Sequence, residues 1–149
     1  PGLIDDAHRG EHLLEAAVAV IAADPVSDRS PARRRLDSRT IVVRSIDFVE
    51  STRTYPPTMG QLCRVTSTST SRLRQAFTDV FDLPPTTYFR FRLLSRLRDE
   101  LSRTDPNNNS VTHIASSLGI TELGRASGRY KRAFGELPSA TLRRQSRHD

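Results

Sequence analysis

The sequence predicts an all-α fold: two helix-turn-helix subdomains joined by a long linking helix and preceded by an amphipathic N-terminal helix. Three observations carry this. Phe77, Phe81 and Pro85 recur as Tyr130, Phe134 and Pro138, each fifty-three positions from its copy. Around both triples the chain repeats one order: a short capped helix, a tight turn, a longer arginine-bearing helix and a proline-initiated helix. Finally, Trp is absent, aromatic residues make up 6% and apolar residues 36%, so the core draws on Leu, Ile, Val, Ala and a few rings, which suits small helical bundles.

Taken in order, Arg9 to Ala23 places Leu13, Ala17, Val20 and Ile21 on one stripe at helical spacing, an amphipathic helix. The segment 24–37, DPVSDRSPARRRLD, has two prolines and an arginine run and reads as an exposed linker. Val42, Ile46 and Val49, flanked by Ile41 and Val43, give a second helix from about Ser38 to Thr52, closed by Pro56 and Pro57.

Thr58 opens the first repeat unit as an N-cap, with Gln61 as its capping-box partner. A short helix, Met59 to about Val65, turns its inner face through Leu62 and Cys63, and the run Thr66 to Ser69 supplies the turn and a fresh N-cap. The next helix, Thr70 to Phe81, is expected to bury Leu73, Ala76, Phe77 and Val80 and to turn Ser71, Arg72, Arg74, Gln75 and Thr78 outward. Pro85 starts a long helix to about Arg103, with an apolar stripe of Tyr88, Phe91, Leu94, Leu97 and Leu101. After the loop Asp105 to Ser110, Ser110 caps a second short helix, Val111 to Leu118, and Gly119 makes the turn. The second long helix, from Glu122 or Leu123 to Ala133, is expected to bury Leu123, Ala126, Tyr130 and Ala133. Pro138 begins the last helix, and the tail frays from Gln145.

Charge is unevenly placed. Residues 1–29 hold six acids against two arginines, a net of −4, so the rest of the chain carries +10 of the overall +6. Every basic residue except Lys131 is arginine, the side chain that clamps phosphates and guanine edges bidentately. A coding bias toward arginine explains the ratio but not the clustering. Two helix-turn-helix units in so basic a segment point to duplex DNA. One cysteine, Cys63, allows no internal disulfide and fits a reducing, cytoplasmic setting. No stretch approaches a membrane span. The chain starts at Pro1 with neither initiator Met nor leader and reads as a fragment of a longer protein.

These residues resemble the DNA-binding domain of the AraC/XylS family of bacterial transcription regulators, over roughly Ser38 to Arg144. The first half carries QLC, Ser69, Leu73, Phe77, Pro85, Tyr88 and Arg92-Leu93. The second carries SVTHIASSLGI, Ser110 to Ile120, and RYKRAFGELPSATLRR, Arg129 to Arg144. From turn residue to buried anchor is six positions in the first unit (Ser67 to Leu73) and seven in the second (Gly119 to Ala126), a difference the family shares. Departures are Ser67 in place of the usual Gly, Ile120 in place of Phe, and Ala126 in place of a larger anchor. The resemblance implies that residues 37–149 form a double helix-turn-helix DNA-binding domain. Residues 1–36 are then the remnant of an upstream regulatory or dimerisation region with its linker. Duplex DNA is the implied partner; RNA polymerase and a second copy of the chain are further candidates.

The second helix of such a motif lies in the major groove, and two units enter successive grooves about 34 Å apart. On the first such helix Ser71, Arg72, Arg74 and Gln75 are the candidates, Arg74 for guanine O6 and N7, Gln75 for adenine N6 and N7. On the second they are Gly124, Arg125, Ser127, Arg129 and Lys131, with Gly124 and Gly128 permitting close backbone approach. Each glycine lowers helix propensity by about 1 kcal/mol relative to Ala. Thr58, Ser69 and Ser110 have a structural role as caps, and helix N-termini also hold phosphates. The competing reading of each face is a solvated helix surface.

No enzyme reading assembles. His8, His12, His113, His148 and Cys63 show no metal-ligand spacing, and there is no glycine-rich phosphate loop; no cofactor or metal is expected. Cys63 reads as a small buried hydrophobe. The remaining alternative is a helical protein-protein interaction module without DNA binding.

Overall fold

The computed structural model describes residues 31–53 and 55–145. The expected helix from Arg9 to Ala23, most of the linker and the tail beyond Gln145 lie outside the described residues. Among those described, seven helices and no strand occur: α1 (Pro31–Thr52), α2 (Met59–Thr66), α3 (Thr70–Phe81), α4 (Pro85–Arg103), α5 (Val111–Ser117), α6 (Leu123–Phe134) and α7 (Pro138–Gln145). The chain divides into two compact units, the described parts of which are residues up to Arg90 and residues from Phe91 onward.

Helix α1 corrects the sequence reading. It starts at Pro31, seven residues before Ser38, so the segment PARRRLD taken as linker is helical. Proline at the first helical position has its φ already set and gives up an N–H that has no intrahelical acceptor there. Ala and Arg then favour continuation. Ile41, Val42, Ile46 and Val49 face the core, with Val43 half-buried. Ser38 and Ser45 share the buried face; Ser45 satisfies its hydroxyl by donating to the Ile41 carbonyl at 2.8 Å.

In this first unit Phe77 is fully buried among rings: Phe81 at 6.0 Å, Tyr88 at 5.4 Å and Phe89 at 5.6 Å between centroids. Phe81 and Tyr88 stack at 4.4 Å. Burying each side chain stabilises by about 1.5–3 kcal/mol, and each ring pair adds about 0.5–1.5 kcal/mol. On α3, Phe81 is buried while Val80, expected inside, is half-buried. Likewise Phe89 takes the core place on α4 where Phe91 is half-buried. Cys63 is half-buried, not enclosed, its Sγ 3.6 Å from Thr70 Oγ1.

The second unit packs Leu94, Leu97 and Leu101 of α4 against Ile114, Ala115, Ile120, Ala126, Tyr130 and Leu142. Leu123, expected inside, is partly buried at its edge, together with Val111 and Leu118. Ala126 is 7% exposed, so the small anchor is still within the core. Tyr130 shares a 2.7 Å hydrogen bond with Thr141, whose hydroxyl also bonds Glu136, which in turn pairs with Arg144. Burial raises the Tyr130 phenol pKa, a shift opposed by the Thr141 hydrogen bond. The Arg98 guanidinium lies 4.7 Å above the Phe134 ring, a cation-π contact.

Candidate nucleic-acid interface

Both turns are built the same way. At the end of α2, Ser67 is left-handed (φ 53, ψ 40), and the Thr68 N–H reaches the Cys63 carbonyl at 3.1 Å. At the end of α5, Gly119 is left-handed (φ 79), and the Ile120 N–H reaches the Ala115 carbonyl at 2.9 Å. Each bond closes the last turn of its short helix and redirects the chain. Where Ser67 takes a conformation that favours glycine, Thr66 braces it: its hydroxyl donates to the Leu62 carbonyl at 2.7 Å and meets the Thr68 hydroxyl at 2.9 Å. Helix α3 begins three residues after its turn residue and α6 four after its own, so Leu73 and Ala126 are both buried despite the different spacing.

The caps form as the sequence indicates. Thr58 accepts from the Gln61 N–H at 3.2 Å while Gln61 Oε1 accepts from the Thr58 N–H at 2.8 Å, a complete capping box. Ser69 accepts from the Arg72 N–H and Ser110 from the His113 N–H, each at 3.2 Å. All three cap residues are exposed.

On α3 the buried side is Leu73, Ala76, Phe77 and Phe81. Ser71, Arg74, Gln75 and Thr78 are exposed and follow i, i+3, i+4, i+7, one stripe opposite the core. Arg74 has no ion-pair partner among the described residues, so its fork is available to a ligand. Arg72 departs from expectation: it is half-buried, donates to Ser38 Oγ at 3.0 Å and lies 3.8 Å from Asp79 Oδ2. It fastens α3 to α1. The sequence reading also passed over Asp79, which holds the Gln75 amide at 2.6 Å. The i to i+4 spacing of these two residues was the available signal.

On α6 the matching stripe is Gly124, Ser127, Gly128 and Lys131. Ser127 is half-buried; the other three are exposed. A Cβ built on Gly124 or Gly128 meets nothing within 4 Å, so neither glycine is required by packing among the described residues. Arg125, at the position matching Arg72, is exposed and paired with Glu122 at 3.0 Å. Glu122 is the N-cap residue of α6 and makes no side-chain cap bond. Arg129 occupies the position matching buried Ala76 and is half-buried, so it lies off the stripe, not on it. The two helices therefore offer unlike surfaces: Arg74 and Gln75 on one, two bare glycines and a lysine on the other. His113 is exposed, and among the described residues no group of His, Cys, Asp and Glu could hold a metal. No described helix is long and apolar enough to cross a membrane.

Comparison with known proteins places residues 62–144 in a family described as a helix-turn-helix domain. The chain is 32% identical over 103 residues to a probable thc operon regulatory protein of Rhodococcus erythropolis, covering 69% of this chain and 31% of that protein. It is 29% identical over 133 residues to XylDLEGF operon transcriptional activator 3 of Pseudomonas putida, covering 89% of this chain and 38% of the relative. XylDLEGF operon transcriptional activator 2 of the same organism is 33% identical over 99 residues, 66% of this chain and 63% of its own length. The chain thus spans about a third of the length of the first two relatives. No solved structure matches it significantly.

Proposed function

The chain belongs to the AraC/XylS family of helix-turn-helix transcription regulators, and from that premise we propose that it binds duplex DNA sequence-specifically with α3 and α6 as recognition helices in successive major grooves. What supports this most is the face of α3: Arg74 and Gln75 project side by side from a helix whose other side is locked in the core by Leu73 and Phe77. Arg74 matches the two acceptors of guanine, and Gln75 the donor and acceptor of adenine. Ser71 is within the same stripe and reads through its hydroxyl; Arg72 positions the helix.

On α6, Lys131 and Arg125 contact phosphates, Arg125 by exchanging an exposed ion pair with Glu122 that is worth little in water. Gly124 and Gly128 let the helix backbone approach the duplex, with Ser127 beside them and Arg129 at the margin. Thr58, Ser69 and Ser110 add hydroxyls toward phosphates. Base specificity concentrates in the half-site under α3. Residues 37–149 hold the DNA-binding domain, whose first helix extends back to Pro31, and the residues before that helix belong to an upstream region for regulation or dimerisation. The full protein acts in the cytoplasm with RNA polymerase as its functional partner.

Titration of the 149-residue chain with duplex DNA at increasing salt tests the reading. With roughly 6–10 phosphate contacts, affinity falls by about three to five decades between about 50 and 200 mM salt. A salt slope near zero, or no binding to duplex, would mean that the helices serve a protein partner instead.

A further inference from the structure

We infer that Asp79 is a specificity-determining positioning residue: it fixes the orientation of the Gln75 amide so that the pair accepts adenine and rejects guanine. The inference rests on the proposed role of α3 as a base-reading helix. A glutamine amide has an acceptor end and a donor end and can turn either one outward. Here the choice is made by a carboxylate. Asp79 Oδ1 accepts from Gln75 Nε2 at 2.6 Å, and because an ionised carboxylate only accepts, the opposite orientation would set oxygen against oxygen. The carboxylate is itself fixed from behind. Its Oδ2 accepts from the Ser38 hydroxyl at 2.7 Å and lies 3.8 Å from Arg72 Nη1, which also donates to Ser38 Oγ at 3.0 Å. Ser38 is fully buried on α1, so the anchor is part of the core of this unit.

With one Nε2 hydrogen committed, Gln75 is left with Oε1 as acceptor and a second N–H as donor. That pair complements the N6 amino group and N7 of adenine. Guanine would bring its O6 acceptor against the held Oε1. Were the amide free to turn, its NH2 could donate to O6 and guanine would be tolerated. Asp79 also sets a negative charge on a surface proposed to meet phosphates, so its removal should leave general DNA affinity unchanged or raised. A residue that merely stabilised the helix would lower affinity for every sequence.

The test uses the whole 149-residue chain. A preferred duplex is first selected from a random pool, and competition then compares it with the same duplex carrying guanine at the adenine under Gln75. Asp79→Asn, whose amide permits either orientation of its partner, should reduce the adenine-over-guanine preference by roughly 5- to 10-fold or more, with affinity for unrelated duplex not lowered. Asp79→Glu, which stays acceptor-only, should retain the preference. In a Gln75→Ala background, Asp79→Asn should have no further effect on base choice.

If Gln75→Ala leaves base preference unaltered, the reading of α3 as a base-contacting helix fails. If Gln75→Ala abolishes the preference while Asp79→Asn keeps it, or if the two losses add in the double variant, the role of Asp79 is overturned. Should Asp79→Asn not melt cooperatively, Asp79→Ser decides the same question, since its shorter side chain withdraws the carboxylate oxygen that holds Gln75.

Discussion

Replacing both Gly124 and Gly128 by alanine separates what α6 needs for folding from what it needs for binding. Neither glycine has a positive φ, and a Cβ at either position meets nothing within 4 Å. The substitutions therefore create no strain in the free protein. Gly128→Ala, in the exposed helix interior, should stabilise by about 0.4–1 kcal/mol, and Gly124→Ala, at the second residue of α6, by less, through helix propensity and a less disordered unfolded chain. Together they should add about 1 kcal/mol, a rise in Tm on the order of 3–4 °C for a domain of this size. Thermal melting followed by circular dichroism reads this directly. Binding should move the other way. If the bare strip between Gly124 and Gly128 exists so that DNA can approach the helix backbone, two methyl groups intrude on that contact. Overpacking of a close interface costs about 1–3 kcal/mol, roughly a 5- to 150-fold loss in duplex affinity despite the more stable protein. Higher Tm with unchanged affinity would refute the close-approach argument, and an unchanged Tm would refute the propensity argument beneath it.

Arg74→Ala should weaken specific binding by about 1–3 kcal/mol and relax preference at one or two adjacent base pairs; selection with the variant checks this, and an unaltered preference removes Arg74 from the readout. Thr58→Ala should cost about 1 kcal/mol in stability, because it breaks the capping box with Gln61, and urea unfolding measures it. The raised pKa of Tyr130 makes the folded state hold its proton more tightly than the unfolded chain. The stability from this group is full below the ordinary tyrosine pKa of 10.0 and is lost as pH rises through the higher folded value. Unfolding free energy should thus decline above about pH 10, and Tyr130→Phe should flatten that decline; an equal decline in the variant would show that other groups cause it.

Much of the helical frame was legible because its punctuation is local. Ser69, Pro85 and Pro138 start α3, α4 and α7 through capping and fixed φ, and the turn at Gly119 needed a residue that tolerates the left-handed region. The start of α1 was missed because a proline followed by arginines has the composition of a linker, while proline at the first helical position is equally a helix start. Cys63 was placed inside on periodicity, but α2 has little more than two turns, and the edge of so short an apolar face is half-exposed. Among the site residues, Ser71, Arg74 and Gln75 follow from the wheel set by Leu73 and Phe77. Arg72 does not, since its partner Ser38 lies thirty-four residues away in sequence and pairing at that range leaves no local pattern. Arg129 was misread for a related reason: helical spacing put it among the exposed residues, whereas the repeat itself aligns it with buried Ala76.

The most direct measurement is selection of bound sequences from a random duplex pool with the 149-residue chain. A recovered site with two parts in successive major grooves is expected, sharply defined where α3 docks and weakly defined where α6 docks. Equal information in both parts would contradict the asymmetry drawn from Arg74 and Gln75 against Gly124 and Gly128, and a pool that yields no enriched sequence would contradict specific DNA recognition by this chain.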